Sequence, residues 1–242
     1  MIDSKSSRPP AWQQIARALF RLVILGVLAV GGLVQLVALI QPQPEGRAVA
    51  LGYLGSGATA LAALAGRPLL RWLGRPERAM AGLRFVLIGS LGALWVETLF
   101  WIAEKLTGAV GIAASPNLIV DLLVTMPWYV AMIAVLWLVH RRFRYHWATV
   151  ALLGGLYEMG ADGVVGHILG GEALTPGYLA TLVLLYSGVF VVVYAPIVLP
   201  PVWALPLPQD PEPAPRWQRA LGAGLPLLPL LPYWLAVQAL MG

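Results

Sequence analysis

Long apolar stretches recur along almost the whole chain, and they constrain its fold more than any other feature. A helix needs about 20 apolar residues to cross a bilayer. With 59% hydrophobic and only 11% charged residues, a soluble domain would expose too much apolar surface. The sequence therefore predicts an all-α polytopic membrane helix bundle of six or seven transmembrane helices. A window of about 19 residues places the spans near 17–40, 48–66, 84–106, 118–139, 147–169, 178–199 and 217–240.

The chain divides into four parts. We expect a cytoplasmic N-terminal segment at 1–16, the transmembrane bundle at 17–199, a Pro-rich cytoplasmic linker at 200–216 and a C-terminal membrane segment at 217–242. The last part contains three prolines spaced by three residues, and each removes a backbone donor, so it should be kinked. It either spans the membrane or re-enters it, and re-entry would leave six full spans.

Basic residues give the orientation. Of the 16 Lys and Arg residues, all but Arg47 and Lys105 precede the odd-numbered spans on one side or fill the connections there. Cytoplasmic loops carry the excess of Lys and Arg, so we expect a cytoplasmic N-terminus and a location in the cell (plasma) membrane. The net charge of +5 is then a topology signal that also meets anionic lipid headgroups. The lipid bilayer is an expected partner, and nucleic acid is not.

Acidic residues gather in the outer half of the predicted membrane region. At roughly 1.5 Å per residue, Glu97 lies roughly 20 Å from the cytoplasmic end of its span, with Glu158 roughly 16 Å and Asp162 roughly 22 Å from the start of theirs. Asp121 lies roughly 5 Å below the outer boundary. A charge at mid-bilayer costs on the order of 3 kcal/mol, and such groups usually mark a cavity, proton route or binding site.

Helical phase predicts that these acids face the bundle. Glu158 and Asp162 are four residues apart, beside glycines that let neighbouring helices approach closely. We therefore expect an outward-half cavity with acid/base carboxylates from three helices, substrate-binding aromatic residues and two groups at its mouth. The catalytic carboxylates are Glu97, Glu158, Asp162 and Asp121; the substrate-binding residues are Trp101, Trp128 and Tyr157; the mouth residues are Glu104 and His167.

Neighbouring buried carboxyls repel one another when ionised, so at least one should carry a proton near neutral pH. In an aromatic pocket such a carboxyl can act as a general acid. The first hypothesis is an enzyme acting on a lipid or isoprenoid substrate. Two alternatives remain open: a proton- or cation-coupled transporter for a small solute, and an accessory or assembly subunit that packs against a membrane-protein partner.

Each of these residues also fits a simpler structural role that needs no cavity. Glu104 and His167 fit solvated interface residues, and Asp121 fits the first turn of a helix, where it favours the helix dipole. Glu97 and the pair Glu158 and Asp162 fit bundle contacts that are protonated or paired with tyrosine.

No cofactor is predicted, and a divalent metal is a minority possibility. His167 lies about 140° around the helix from Asp162 and nearly opposite Glu158, so one ion cannot easily take all three unless the helix unwinds at Gly163 or Gly166. No Lys in a late span could hold retinal, and neither a Walker P-loop nor an HExxH zinc motif occurs. The absence of Cys excludes thiolate ligands and cysteine nucleophiles.

Overall fold

The computed structural model describes residues 11–73, 80–164, 167, 171, 174–185, 189–205 and 214–241. All regular elements within these residues are helical, which confirms the all-α prediction. A π-helical segment, Met159–Val164, follows the helix that ends at Glu158, and a 3₁₀ turn, Leu225–Leu227, follows the helix that ends at Gly224. The α-helices are α1 (Ala11–Ile40), α2 (Pro44–Ala65), α3 (Arg67–Leu73), α4 (Ala81–Thr107), α5 (Leu118–Phe143), α6 (Trp147–Glu158), α7 (Pro176–Leu185), α8 (Val191–Ala204), α9 (Arg216–Gly224) and α10 (Leu230–Met241).

Four helical stretches in the described residues are long and apolar enough to cross a membrane. They coincide with the predicted spans near 48–66, 84–106, 118–139 and 217–240. Leu28–Ile40 and Val191–Ala204 are apolar but shorter. The fold is therefore that of a membrane helix bundle with four candidate spans, which are Pro44–Ala65, Ala81–Thr107, Leu118–Phe143 and Arg216–Val237.

The predicted continuous helices differ from the structure in two places. Over 147–169, α6 ends at Glu158 and the chain continues in the wider π-helical turn. Glycine is a poor α-helix former, and Gly160 packs so closely that a Cβ would lie 2.7 Å from Leu227 Cδ2. Over 178–199, α7 ends at Leu185, residues 189–190 are π-helical and α8 begins at Val191, while 186–188 lie outside the described residues.

The C-terminal segment is interrupted where its prolines begin. The 3₁₀ turn that follows α9 contains Pro226, and α10 resumes at Leu230. A proline inside a helix removes a backbone hydrogen bond and clashes with the preceding turn. This interruption accords with the expected kink.

Helix α8 lies at the centre of the bundle, packed against α2, α3, α4 and α6. Its approach to α4 depends on glycine, because a Cβ on Gly92 would collide with the backbone oxygen of Pro196. Small residues at such crossings let transmembrane backbones pack closely. The close crossing places Tyr194 of α8, which is fully buried, between the carboxyl-bearing helices α4 and α6.

Candidate functional site

A cavity of about 820 Å³ opens between α4, α5, the π-helical segment, α7, α8 and α10. Its walls are mainly aliphatic and aromatic, with Trp128, Phe190 and Tyr233 among the larger side chains. Glu97 and Glu158 supply the carboxyl groups of the described lining. Predominantly apolar walls with a few polar groups are typical of small-molecule and cofactor sites, which span about 300–1,000 Å³.

Glu97 lies on α4 and meets a tyrosine of α5. The Tyr129 hydroxyl donates a hydrogen bond to Glu97 Oε1 at 2.5 Å. Tyr129 is only 5% exposed, so this bond is shielded from competing solvent. A hydrogen bond in such a low-dielectric setting is electrostatically stronger than the same bond in water.

Glu158 forms the matching pair on the opposite wall. The Tyr194 hydroxyl of α8 donates to Glu158 Oε2 at the end of α6. The rings of Tyr129 and Tyr194 are in contact, with centroids 5.9 Å apart and planes inclined by 47°. Two tyrosines therefore join Glu97 to Glu158 across four helices.

Asp121 of α5 lies near Glu97 and is not among the described residues that line the cavity. It is 0% exposed, and its Oδ1 accepts hydrogen bonds from the backbone N–H groups of Ala114 at 2.7 Å and Ser115 at 3.3 Å. The other oxygen, Oδ2, is buried without a hydrogen-bond partner among the described residues, and the carboxyls of Glu104 and Glu97 lie nearby. A proton shared between Asp121 and Glu97 would supply the donor that Oδ2 lacks.

Glu104, which was predicted to lie at the cavity mouth, binds the backbone of the α4–α5 loop. It is only 4% exposed, and its Oε2 accepts hydrogen bonds of 2.9 Å from the N–H groups of Ile112 and Ala113. Its Oε1 lies 3.5 Å from Lys105 Nζ. Glu104 and Asp121 thus hold four successive backbone N–H groups, and these fix the α4–α5 loop whose residues 111–115 line the cavity.

Of the three aromatic residues predicted to bind substrate, Trp128 lines the cavity. Trp101 does not line it, and its indole N–H donates to Pro116 O at 3.1 Å. Tyr157 is fully buried against the C-terminal segment, where its hydroxyl donates to Ala223 O at 3.0 Å. Trp101 and Tyr157 therefore secure the α4–α5 loop and α9, respectively.

Asp162 and His167 are only partly described. Asp162 belongs to the π-helical segment, and its side chain lies outside the described residues. The His167 ring lies 3.9 Å from that of Tyr178, a lining residue. Among the side chains that the structure describes, no group of three or more His, Asp or Glu residues converges as metal ligands.

Tyr194 is the residue that sequence reasoning missed. Its signal was present, because it is the only polar side chain between Val189 and Leu199. A buried tyrosine hydroxyl usually finds a hydrogen-bond partner, so a lone tyrosine in an apolar segment points to a polar neighbour. A second such residue is Tyr233, whose hydroxyl donates to Val124 O at 2.9 Å and whose ring packs 6.4 Å from Trp128.

Comparisons with protein-family models, curated proteins and solved structures find no match for this chain.

Proposed function

We propose that this protein is an integral membrane enzyme that uses Glu97 and Glu158 as acid/base groups on a lipid or isoprenoid substrate. One observation carries the proposal: both carboxyls line the same largely apolar cavity, and each is hydrogen-bonded to a buried tyrosine. Apolar walls suit a hydrocarbon substrate, and a protonated carboxyl among them can act as a general acid.

The arrangement supports a proton-transfer cycle without net consumption of protons. Neutral Glu97 donates its proton to a double bond or oxygen of the substrate, and ionised Glu158 removes a proton elsewhere on it. The faces of Trp128 and Tyr129 stabilise the positive charge that develops between these steps. Glu158 then gives up the proton that it has taken and Glu97 gains one, both by exchange with water that reaches the cavity, which restores the starting state.

Asp121 and Asp162 have supporting roles in this account. Asp121 positions the Glu97 carboxyl and shares its proton, while its other oxygen holds the loop over the cavity. Asp162 belongs to the π-helical segment that follows Glu158, and the sequence predicts for it a further acid/base carboxyl. An Asp162→Asn variant should therefore lose less turnover than Glu158→Gln.

The bundle is proposed to lie in the plasma membrane with its N-terminus in the cytoplasm and the acids toward the outer half. The predicted seven-span arrangement puts nearly all basic residues on the cytoplasmic side, which supports this orientation. The substrate would then enter from the lipid phase or from outside.

The test is turnover of membrane lipids by purified protein. Wild type in mild detergent is incubated with a total lipid extract, and substrate loss and product gain are followed by mass spectrometry. Glu97→Gln and Glu158→Gln should each lower turnover by about 10²–10⁴-fold, the usual contribution of acid/base catalysis. Glu45→Gln removes an exposed carboxyl outside the cavity and should retain activity. Full activity in both cavity variants would refute the assignment.

Proton-coupled transport is the second candidate, and the neighbouring protonatable groups from Asp121 to Glu158 favour it. Series of such groups carry protons in pumps and transporters. Protein in liposomes with an imposed proton gradient would then accumulate a solute that it leaves chemically unchanged. Gradient-driven uptake without a lipid product would replace the enzyme proposal with this one.

A further inference from the structure

One end of the bundle is rich in arginine and is called here the basic end. It contains the end of α5, the starts of α6 and α9, and α3. Two contacts bring these elements together: Arg219 Nη2 donates to Phe143 O at 3.0 Å, and the Trp147 and Trp203 rings lie 6.4 Å apart. The basic end is separate from the acidic cavity, which lies farther along α4 and α6.

Arg144 follows α5 in an unusual backbone conformation. Its φ is 48°, and its N–H donates to His140 O at 2.8 Å. A left-handed residue at this position is usually glycine, because the Cβ of other L-residues is crowded there. The arginine side chain is partly buried, and its Nε and Nη1 are enclosed without an acceptor from the described residues.

Arg67, at the start of α3, is a second arginine with an enclosed N–H group. Its guanidinium lies 4.9 Å from the centroid of the Trp203 ring, and its Nε is buried without an acceptor in the described part of the chain. Trp203 in turn contacts Trp147, three residues after Arg144. Arg67 thus contacts one member of this tryptophan pair, and Arg144 precedes the other member by three residues in the chain.

No carboxylate of the described residues neutralises these guanidinium groups. The ion pair that the described residues do form joins Lys105 to Glu104, and it belongs to the α4–α5 loop region, not to the basic end. Guanidinium N–H groups are donors only, so each enclosed N–H group needs an acceptor oxygen. A ligand that supplies anionic oxygens would provide these acceptors and would be stabilising here.

The surface beside Arg67 is apolar. Leu69 and Trp72 of α3 are 59% and 63% exposed. Tryptophan is enriched at the level of lipid headgroups, and exposed leucine in a membrane protein contacts acyl chains. A bound anion at this position would therefore have hydrocarbon contacts next to its charged group.

We propose that Arg144 and Arg67 bind the phosphate of an anionic phospholipid at the basic end, with the acyl chains against α3. The planar guanidinium forms paired hydrogen bonds with phosphate oxygens, a geometry that lysine cannot reproduce. This site is distinct from the cavity and does not depend on its chemistry.

The test uses the full-length protein in nanodiscs of phosphatidylcholine, alone or with phosphatidylglycerol. Bound lipid is counted by native mass spectrometry, and thermal unfolding is followed in parallel. Arg144→Gly fits the local φ, and Arg67→Gln leaves the backbone unchanged. Each should weaken phosphatidylglycerol binding about tenfold or more, since a hydrogen bond to a charged group is lost. Arg141→Gln removes an exposed arginine nearby and should change binding less than about twofold.

Wild type should unfold at a higher temperature with phosphatidylglycerol than without it, and Arg144→Gly should lose this difference. In phosphatidylcholine alone Arg144→Gly should be at least as stable as wild type, because the left-handed position favours glycine. If Arg144→Gly fails to fold, Arg67→Gln decides the outcome. Equal loss in Arg141→Gln would overturn the proposal in favour of diffuse attraction. Equal stabilisation by inorganic phosphate alone would overturn the lipid assignment.

Discussion

The Tyr129 hydroxyl donates a 2.5 Å hydrogen bond to Glu97 Oε1, and the same tyrosine ring contacts that of Tyr194, the partner of Glu158. Each carboxyl thus receives a donor from a different helix than its own. Removing one member of such a pair leaves the other buried and unsatisfied, whereas removing both does not. The bonds therefore fix the carboxyls in position and tie α4, α5, α6 and α8 together.

Tyr129→Phe should lower the free energy of unfolding by about 1–3 kcal/mol, because the Glu97 carboxyl keeps its place and loses its donor. Adding Glu97→Leu removes the carboxyl that has lost its tyrosine donor. The double variant should therefore lose less stability than the sum of the two single losses. The expected coupling is about 0.5–3 kcal/mol from a double-mutant cycle in detergent. Additive effects would show that the pair does not interact energetically.

The α4–α5 loop should open when Glu104 is removed. Glu104→Ala leaves the N–H groups of Ile112 and Ala113 without their acceptor, a loss worth about 1–3 kcal/mol. Hydrogen exchange at these two amides should accelerate accordingly. Lys105→Ala removes an exposed neighbour and should leave their exchange near the wild-type rate. Unchanged exchange in Glu104→Ala would contradict this role.

The crossing of α4 and α8 should be intolerant of a methyl group. Gly92→Ala brings a Cβ against the Pro196 backbone oxygen, and overpacking of this kind typically costs about 1–3 kcal/mol. Gly26→Ala meets nothing within 4 Å and should be neutral or stabilising by about 0.5–1 kcal/mol. Thermal unfolding of the two variants in the same detergent makes the comparison. A wild-type melting temperature for Gly92→Ala would show that the helices are farther apart.

The proposed orientation can be tested without first removing native thiols, since the chain contains no cysteine. Val110 in the α4–α5 loop is 81% exposed, and Trp217 at the start of α9 is 63% exposed. In intact cells an impermeant thiol reagent should label Val110→Cys, and Trp217→Cys only after permeabilisation. The reverse pattern would invert the topology.

Composition and hydropathy were sufficient to predict an all-α membrane bundle, because burial in lipid imposes long apolar helices. The interruptions after Glu158 and around Pro226 differ in kind. The spacing of the prolines predicts the interruption around Pro226. The interruption after Glu158 depends on the fit of Gly160 against Leu227, which no local sequence pattern shows.

The candidate site was predictable by depth and less so by direction. Helix rise placed Glu97 and Glu158 at similar levels, and the structure brings both to one cavity. Glu104 was expected at its mouth because helical phase ignores loops, and it is the loop backbone that holds its carboxylate. Tyr194 escaped attention because its role depends on α8 crossing between two helices that are distant in sequence.

The central claim is that the cavity holds a lipidic ligand, and native mass spectrometry of the purified protein tests it most directly. Thr181→Trp fills the cavity from an exposed lining position on α7, and Leu91→Trp places the same side chain on an outer face of α4 outside the cavity. We predict that wild type and Leu91→Trp retain the same co-purified lipid or isoprenoid, and that Thr181→Trp loses it. A wild-type protein without bound ligand, or equal occupancy in Thr181→Trp, would contradict the claim.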